Sequence, residues 1–158
     1  MIPPVSEAEV QQILSFSDTM TKEDLFEIKH NSTFYIHQML NLFPGMEKSI
    51  FEAFPENGTH FELKTVNADC ALLGENGCIL PKAIRPHFCR IYPFWFFEEE
   101  LHLFQDSDCL ALHQCDTIPE VLLSLGTNPE ALEQIYSQTS QDWGFTHSMP
   151  QKKRKGAF

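Results

Sequence analysis

The chain has 158 residues and a mass of 18.2 kDa, with 42% hydrophobic and 21% charged residues, which suits one domain with its own core rather than a disordered chain. No apolar run approaches the roughly 18 residues that cross a bilayer, and Met1-Ile2-Pro3-Pro4 does not open as an export signal, so the expectation is a cytoplasmic chain without a membrane partner. The net charge is -11, and four of the eleven basic residues stand together at Lys152, Lys153, Arg154 and Lys155, leaving seven against 22 acidic ones; such a surface repels phosphate backbones, and no nucleic-acid partner is expected.

From the N-terminus, Ser6 followed by Glu9 reads as a capping box opening a helix through Val10, Ile13 and Leu14. Thr21 can cap a second helix with Leu25, Phe26 and Ile28 on its apolar side. A third apolar segment, Phe34 to Phe43, stops at Pro44-Gly45, and Met46 to Phe54 makes a short fourth helix before the Asn57-Gly58 turn. Phe61, Leu63 and Val66 fit a short strand. Gly74-Glu75-Asn76-Gly77 is a tight turn between Cys70-Ala71-Leu72-Leu73 and Cys78-Ile79-Leu80. Phe94 to Phe97 and Leu101 to Phe104 form a hairpin across three glutamates, an unusual turn. Thr117, with Pro119 in its first turn, starts a helix that Gly126 ends, and Asn128-Pro129 starts another carrying Leu132, Ile135 and Tyr136. The expected fold is a single domain over residues 1–150, mainly α with a small cysteine-containing β-hairpin and loop insert (α+β). Helices fill residues 1–56 and 117–145, the cysteine core lies at 61–116, and the basic tail 151–158 is disordered. The 14 phenylalanines are read as an aromatic core.

All five cysteines, at 70, 78, 89, 109 and 115, fall in the middle third. A reducing compartment and an odd count disfavour a disulfide framework. Thiolates are soft ligands suited to zinc or iron–sulfur chemistry, yet no C-x-x-C pair is present. Spacing alone therefore leaves two readings open, a metal site or structural thiols. The local sequence favours assembly. A Gly-flanked turn folds Cys70 toward Cys78, and Pro81 and Pro86 restrict the loop delivering Cys89.

Cys70-Ala71-Leu72-Leu73-Gly74-Glu75-Asn76-Gly77-Cys78, followed by Arg85-Pro86-His87-Phe88-Cys89-Arg90-Ile91-Tyr92-Pro93, resembles the core of the YkgJ-like cysteine-cluster family, which is zinc- or iron-chelating and to which flagellin lysine methylases are similar. Every fixed position of the family's R-P-x-x-C-R-x-[YF]-P pattern is present. The resemblance spans roughly residues 61 to 145. It implies that Cys70, Cys78, Cys89 and Cys109 ligate zinc, iron or an iron–sulfur cluster, with Cys115 as a substitute ligand or a nearby free thiol. The family's upstream C-x-x-C-x-x-C-C cluster is missing, and that segment carries His30, His37 and His60 instead.

Four thiolates around a divalent cation leave excess negative charge, which nearby donors must offset. Arg85 and Arg90, flanking Cys89, are candidates for that cofactor-binding role, or else they pair with surface carboxylates. His87, His102 and His113 can each stand in for a thiolate, while Asp106, Asp108 and Asp116 read as solvated loop residues. No nucleotide-binding loop, G-x-S-x-G elbow or H-E-x-x-H pair occurs. The expected function is that of a cytosolic metal-binding protein with a structural or chelating site. The alternatives are an iron–sulfur enzyme or electron carrier related to protein lysine methylases, and an interaction module without metal.

Overall fold

The computed structural model describes residues 3–146, so the basic tail expected to be disordered lies outside the described residues. The chain begins with β1 (Pro4–Val5) and α1 (Glu7–Phe16), where Ser6 and Glu9 form the capping box read from the sequence. Thr21 also caps a helix, but α2 is only Lys22–Leu25, and the next five residues are strand β2 (Phe26–His30). The expected helix is overturned by an alternation that was present all along. Phe-Glu-Ile-Lys-His has period two, and the backbone of β2 pairs over its whole length with β3 (Thr59–Leu63), from Phe26↔Leu63 to His30↔Thr59. Helices α3 (Thr33–Leu42) and α4 (Glu47–Ala53) follow the sequence reading closely.

The cysteine segment is built from two-residue strands. Strands β4 (Thr65–Val66) and β5 (Asp69–Cys70) make one hairpin, and β6 (Leu73–Gly74) and β7 (Gly77–Cys78) make the next. A single 3-10 turn at Lys82–Ile84 leads to α5 (His87–Ile91). The aromatic hairpin is β8 (Phe94–Phe97) with β9 (Glu100–Leu103). Its turn is explained by Glu98 and Glu99, which both take left-handed backbone angles, φ 48° and 69°. Then come α6 (Leu110–Gln114), which the sequence reading left without an element, α7 (Ile118–Ser124) and α8 (Pro129–Trp143).

Helix accounts for 46% and strand for 19%, in eight helices and four small antiparallel sheets among the described residues. The mainly-α expectation is therefore corrected to a mix of α and β. Strand content was undercounted because short strands and the β2 edge gain their hydrogen bonds from distant partners, which local propensity does not encode. No helix among the described residues is long and apolar enough to cross a membrane.

The β1–β3–β2 sheet divides two cores. On one side Val5, Val10, Ile13, Leu25, Phe26, Leu72 and Leu80 form a small aliphatic cluster, with Phe61 and Leu63 of β3 against it. On the other lies the larger cluster, where Phe43 meets Trp95 edge-on at 5.3 Å and Phe88 stacks on Trp95 at 5.0 Å. Much of the phenylalanine is core, as expected, but Phe16, Phe34 and Phe51 are exposed. The left-handed Gly144 (φ 68°) ends α8 and turns Phe145 back to within 4.8 Å of Phe43. The β3 residues facing this side are polar. His60 stacks on Tyr35 at 3.9 Å and contacts Asn31 Oδ1 at 2.7 Å and Glu62 Oε1 at 3.0 Å. Asn31 in turn donates to the Pro55 carbonyl at 2.9 Å, so both ring nitrogens of His60 and the Asn31 side chain are satisfied, while the Tyr35 hydroxyl is buried without a partner.

Candidate metal centre

The two cysteine hairpins stack one after the other in the chain. Ala71 N donates to the Lys64 carbonyl at 2.8 Å and Ile79 N to the Leu72 carbonyl at 2.9 Å, so each hairpin is tied to the residues that precede it. Between them, Leu72 is fully buried and Leu80 anchors the far end, which pins both hairpins on the aliphatic cluster. Cys70 and Cys78 are half-buried and pack against that cluster. The turn glycines do different jobs. Gly77 takes φ 97°, and a Cβ on Gly74 would come within 2.9 Å of Ile79 Cγ2.

Cys89 enters from α5. Burial pushes its thiol up to about 12; the neighbouring Cys70 and Cys78 thiols and the Glu9 carboxylate add to this, and Arg85 pulls the other way. Cys89 therefore lies within electrostatic reach of Cys70 and Cys78, though the three sulfurs are not all within 4.8 Å of one another. The Leu72 N–H points at Cys70 Sγ across 3.4 Å. Such a backbone donor on sulfur stabilises a thiolate. Arg85 is fixed by a 3.0 Å hydrogen bond from its Nε to the Leu80 carbonyl. Arg90 is half-buried in the last turn of α5.

The other two cysteines pack elsewhere. Cys109 precedes α6 and is buried in the aromatic cluster, and Cys115 packs against the same cluster. Cys109 lies beside the Tyr92 hydroxyl, which donates to Asp106 Oδ2 at 2.6 Å. Tyr92 is held above its usual range by burial and by those two neighbours, and Asp106 below its own by the same hydroxyl and by Asp108 N. No disulfide is present among the five cysteines.

The histidines distribute likewise. His102 is exposed on β9, 3.9 Å from Glu100, and His113 donates through Nε2 to the Ser107 carbonyl. His87 is buried, with Nε2 2.8 Å from Asp142 Oδ2 and 3.9 Å from Glu9 Oε1. Among the described residues, Glu9, His87 and Asp142 are the group whose potential ligand atoms all lie within 4.8 Å of one another. Its geometry is that of a hydrogen-bonded joint. Glu9 already accepts from Ser6 N (2.9 Å), Ser6 Oγ (2.7 Å) and His87 N (2.7 Å), and Asp142 accepts from Gln138 as well as from His87. A cation on Nε2 would push the ring proton to Nδ1, which is buried without a partner. The joint fastens α1, α5 and α8 together behind the thiols. The capping half of Glu9 was legible in the sequence; its contacts with residues 87 and 142 had no local signal.

No family model, no curated protein and no solved structure matches this chain.

Proposed function

We propose that this protein binds a soft metal ion or cluster, zinc or iron, through Cys70, Cys78 and Cys89, in a structural or chelating role within a reducing compartment such as the cytosol. The observation that carries the reading is the electrostatic reach of Cys89 to Cys70 and Cys78, thiols drawn from two hairpins and a helix, with a backbone N–H aimed at one sulfur. The donor set fits the group: three soft ligands, a donor to sulfur, and a guanidinium near Cys89 to offset the negative charge they would carry. When bound, the metal would supply a cross-link among the two hairpins and α5. The protein's own share is to fasten those segments, through Leu72 and Leu80 below the hairpins and through the Glu9–His87–Asp142 joint behind α5.

Anaerobic purification followed by elemental analysis tests this. One equivalent of zinc or iron is expected, lost in C70S, C78S and C89S. An absorption spectrum bleached by dithionite separates an iron–sulfur cluster from zinc. Reduced, folded protein that takes up no metal, or whose uptake survives all three substitutions, refutes the proposal.

A further inference from the structure

Strand β2 is an edge. The sheet runs β1–β3–β2, and among the described residues no other strand pairs with β2. Its ladder to β3 shows which backbone groups are left over. Lys64 N donates to the Leu25 carbonyl at 2.7 Å and Asn31 N to the Gly58 carbonyl at 3.0 Å. Hydrogen bonding alternates along an antiparallel pair, so residues 25, 27, 29 and 31 turn their N–H and C=O groups to β3, whereas Phe26, Ile28 and His30 turn theirs outward. Two of these outward groups are already used. Phe26 N donates to the Lys22 carbonyl, and the His30 carbonyl accepts from Ser32 N at 2.9 Å. The Phe26 carbonyl, both groups of Ile28 and the His30 N–H remain, and among the described residues no hydrogen bond reaches them. The Ile28 residue between them is 66% exposed. From this we infer that the free edge of β2 is the contact between two copies of the chain, paired antiparallel with Ile28 opposite the partner's Ile28.

The leftover backbone groups fit that register. Each Ile28 N–H meets the partner's Ile28 carbonyl, and each His30 N–H meets the partner's Phe26 carbonyl. The Phe26 N–H and the His30 carbonyl would continue the ladder, and these are the two groups already satisfied within each copy. The pairing also sets the two exposed Ile28 side chains against each other.

The charges select the same register. Glu27 and Lys29 point to the face opposite Ile28, and in this pairing each Glu27 stands directly across from the partner's Lys29. Sliding the strands by two residues sets Glu27 against Glu27 or Lys29 against Lys29, and parallel pairing in register sets both like pairs together, which is unfavourable. Within one copy Glu27 lies across from Glu62 on β3, and Lys29 Nζ, 2.6 Å from its carboxylate, offsets that repulsion. A second copy brings each Glu27 a further cation. A lysine on an edge strand ordinarily guards it against pairing; here the glutamate two residues earlier leaves one register open. Five residues from each copy make a small contact, so the dimer exchanges with the monomer. The contact stands apart from the thiols and does not depend on the metal reading.

Sedimentation velocity on the full chain, reduced with a phosphine so that no intermolecular disulfide contributes, reads the association. The mass should rise with concentration from 18.2 kDa toward twice that value. E27K and K29E should each weaken the dimer by about tenfold, because each sets like charges across the contact. Mixed in equal amounts they should pair with each other, since the lysines of one meet the glutamates of the other, and E27K/K29E should dimerise as the wild type does. Amide hydrogen exchange reads the register. The Ile28 and His30 amides should gain protection as concentration rises, while those of Glu27 and Lys29 are protected at every dilution. A chain that stays at 18.2 kDa up to its solubility limit overturns the inference. So does a dimer indifferent to the charge variants, or one that leaves Ile28 and His30 unprotected. Protection of those two amides in the dilute monomer overturns it as well, because the edge would then be covered from within one copy.

Discussion

The aromatic cluster and the cysteine hairpins stabilise themselves by different means. Around Trp95 the packing is dense and self-sufficient. Phe43, Phe54, Phe94 and Trp95 are fully buried, Trp95 Nε1 donates to the Leu42 carbonyl at 2.8 Å, and edge-on and stacked rings surround it. The segment from Thr65 to Cys78 has four strands of two residues each, and Val66 and Leu73 are exposed. Hairpins that short are not stable alone. They are held by Leu72 and Leu80 below and, on the proposed reading, by a metal between their thiols. The first region rests on buried side chains, whereas the second rests on strands too short to stand alone.

The largest expected effect lies in the first region. Trp95→Ala removes the ring that Phe43, Phe88 and Tyr136 all touch and leaves the Leu42 carbonyl without its donor. It should cost about 3–5 kcal/mol, read as a lower denaturant midpoint. Trp95→Phe should recover most of the packing and only part of the stability, because the hydrogen bond stays lost.

The joint between the regions comes next. Glu9→Ala orphans Ser6 N, Ser6 Oγ and His87 N, two of them buried backbone donors. A loss of about 2–4 kcal/mol is expected from these unmade bonds. Glu9→Gln keeps one carbonyl oxygen and should lose less. An equal loss in the two variants would mean that charge rather than hydrogen bonding holds α5 to α1.

Alkaline pH should act on the aromatic side as well as on Cys89. Burial, and then the Glu62 charge, hold Tyr35 above its usual range, and burial does the same for Tyr136. A phenol whose folded-state pKa exceeds its unfolded value contributes stability below the unfolded value and loses it as pH rises toward the folded one. Denaturant midpoints of the metal-free protein should therefore begin to fall above about pH 8.5, where the unfolded thiol ionises and the folded Cys89 does not, and fall further above about pH 10 as the phenols follow. Tyrosinate absorbance should lag behind that of the free amino acid until the protein opens. Normal titration of all three tyrosines in the folded state would contradict this account of the core.

What the sequence disclosed follows the same division. Local signals were legible: the Ser6–Glu9 box, the caps at Thr117 and Asn128, the Gly74–Gly77 turn and the aromatic hairpin all depend on residues within a few positions of one another. Phe26–His30 was misread because its apolar residues also fit a helix face, and its strand partner begins at Thr59. The five cysteines stand out in the sequence, but their spacing does not say which of them lie near one another. It cannot tell Cys109, which the large core claims, from Cys70 and Cys78 on the aliphatic cluster. The polar face of β3, with His60 against Tyr35, had no sequence signature, since its partners Asn31 and Tyr35 lie more than twenty residues away in the chain.

The smallest effect sharpens the contrast most directly, because one substitution can be made in both regions. Ala68 in the β4–β5 turn and Glu99 in the β8–β9 turn both hold left-handed angles, φ 71° and 69°, which side chains with a Cβ resist. Glycine adopts them freely at some entropic cost in the unfolded chain. Glu99→Gly should raise global stability by about 0.5 kcal/mol, because Phe94 and Phe96 tie that hairpin to the aromatic core and it unfolds with it. Ala68→Gly relieves the same strain in a hairpin that opens locally before the core does, so the metal-free protein should show no gain in its global midpoint. In metal-loaded protein the cross-link would bring that hairpin into the cooperative unit, and the gain should then appear. Equal gains in the metal-free state would mean that the cysteine hairpins are already as firmly fixed as the aromatic one, and that the metal is not what completes them.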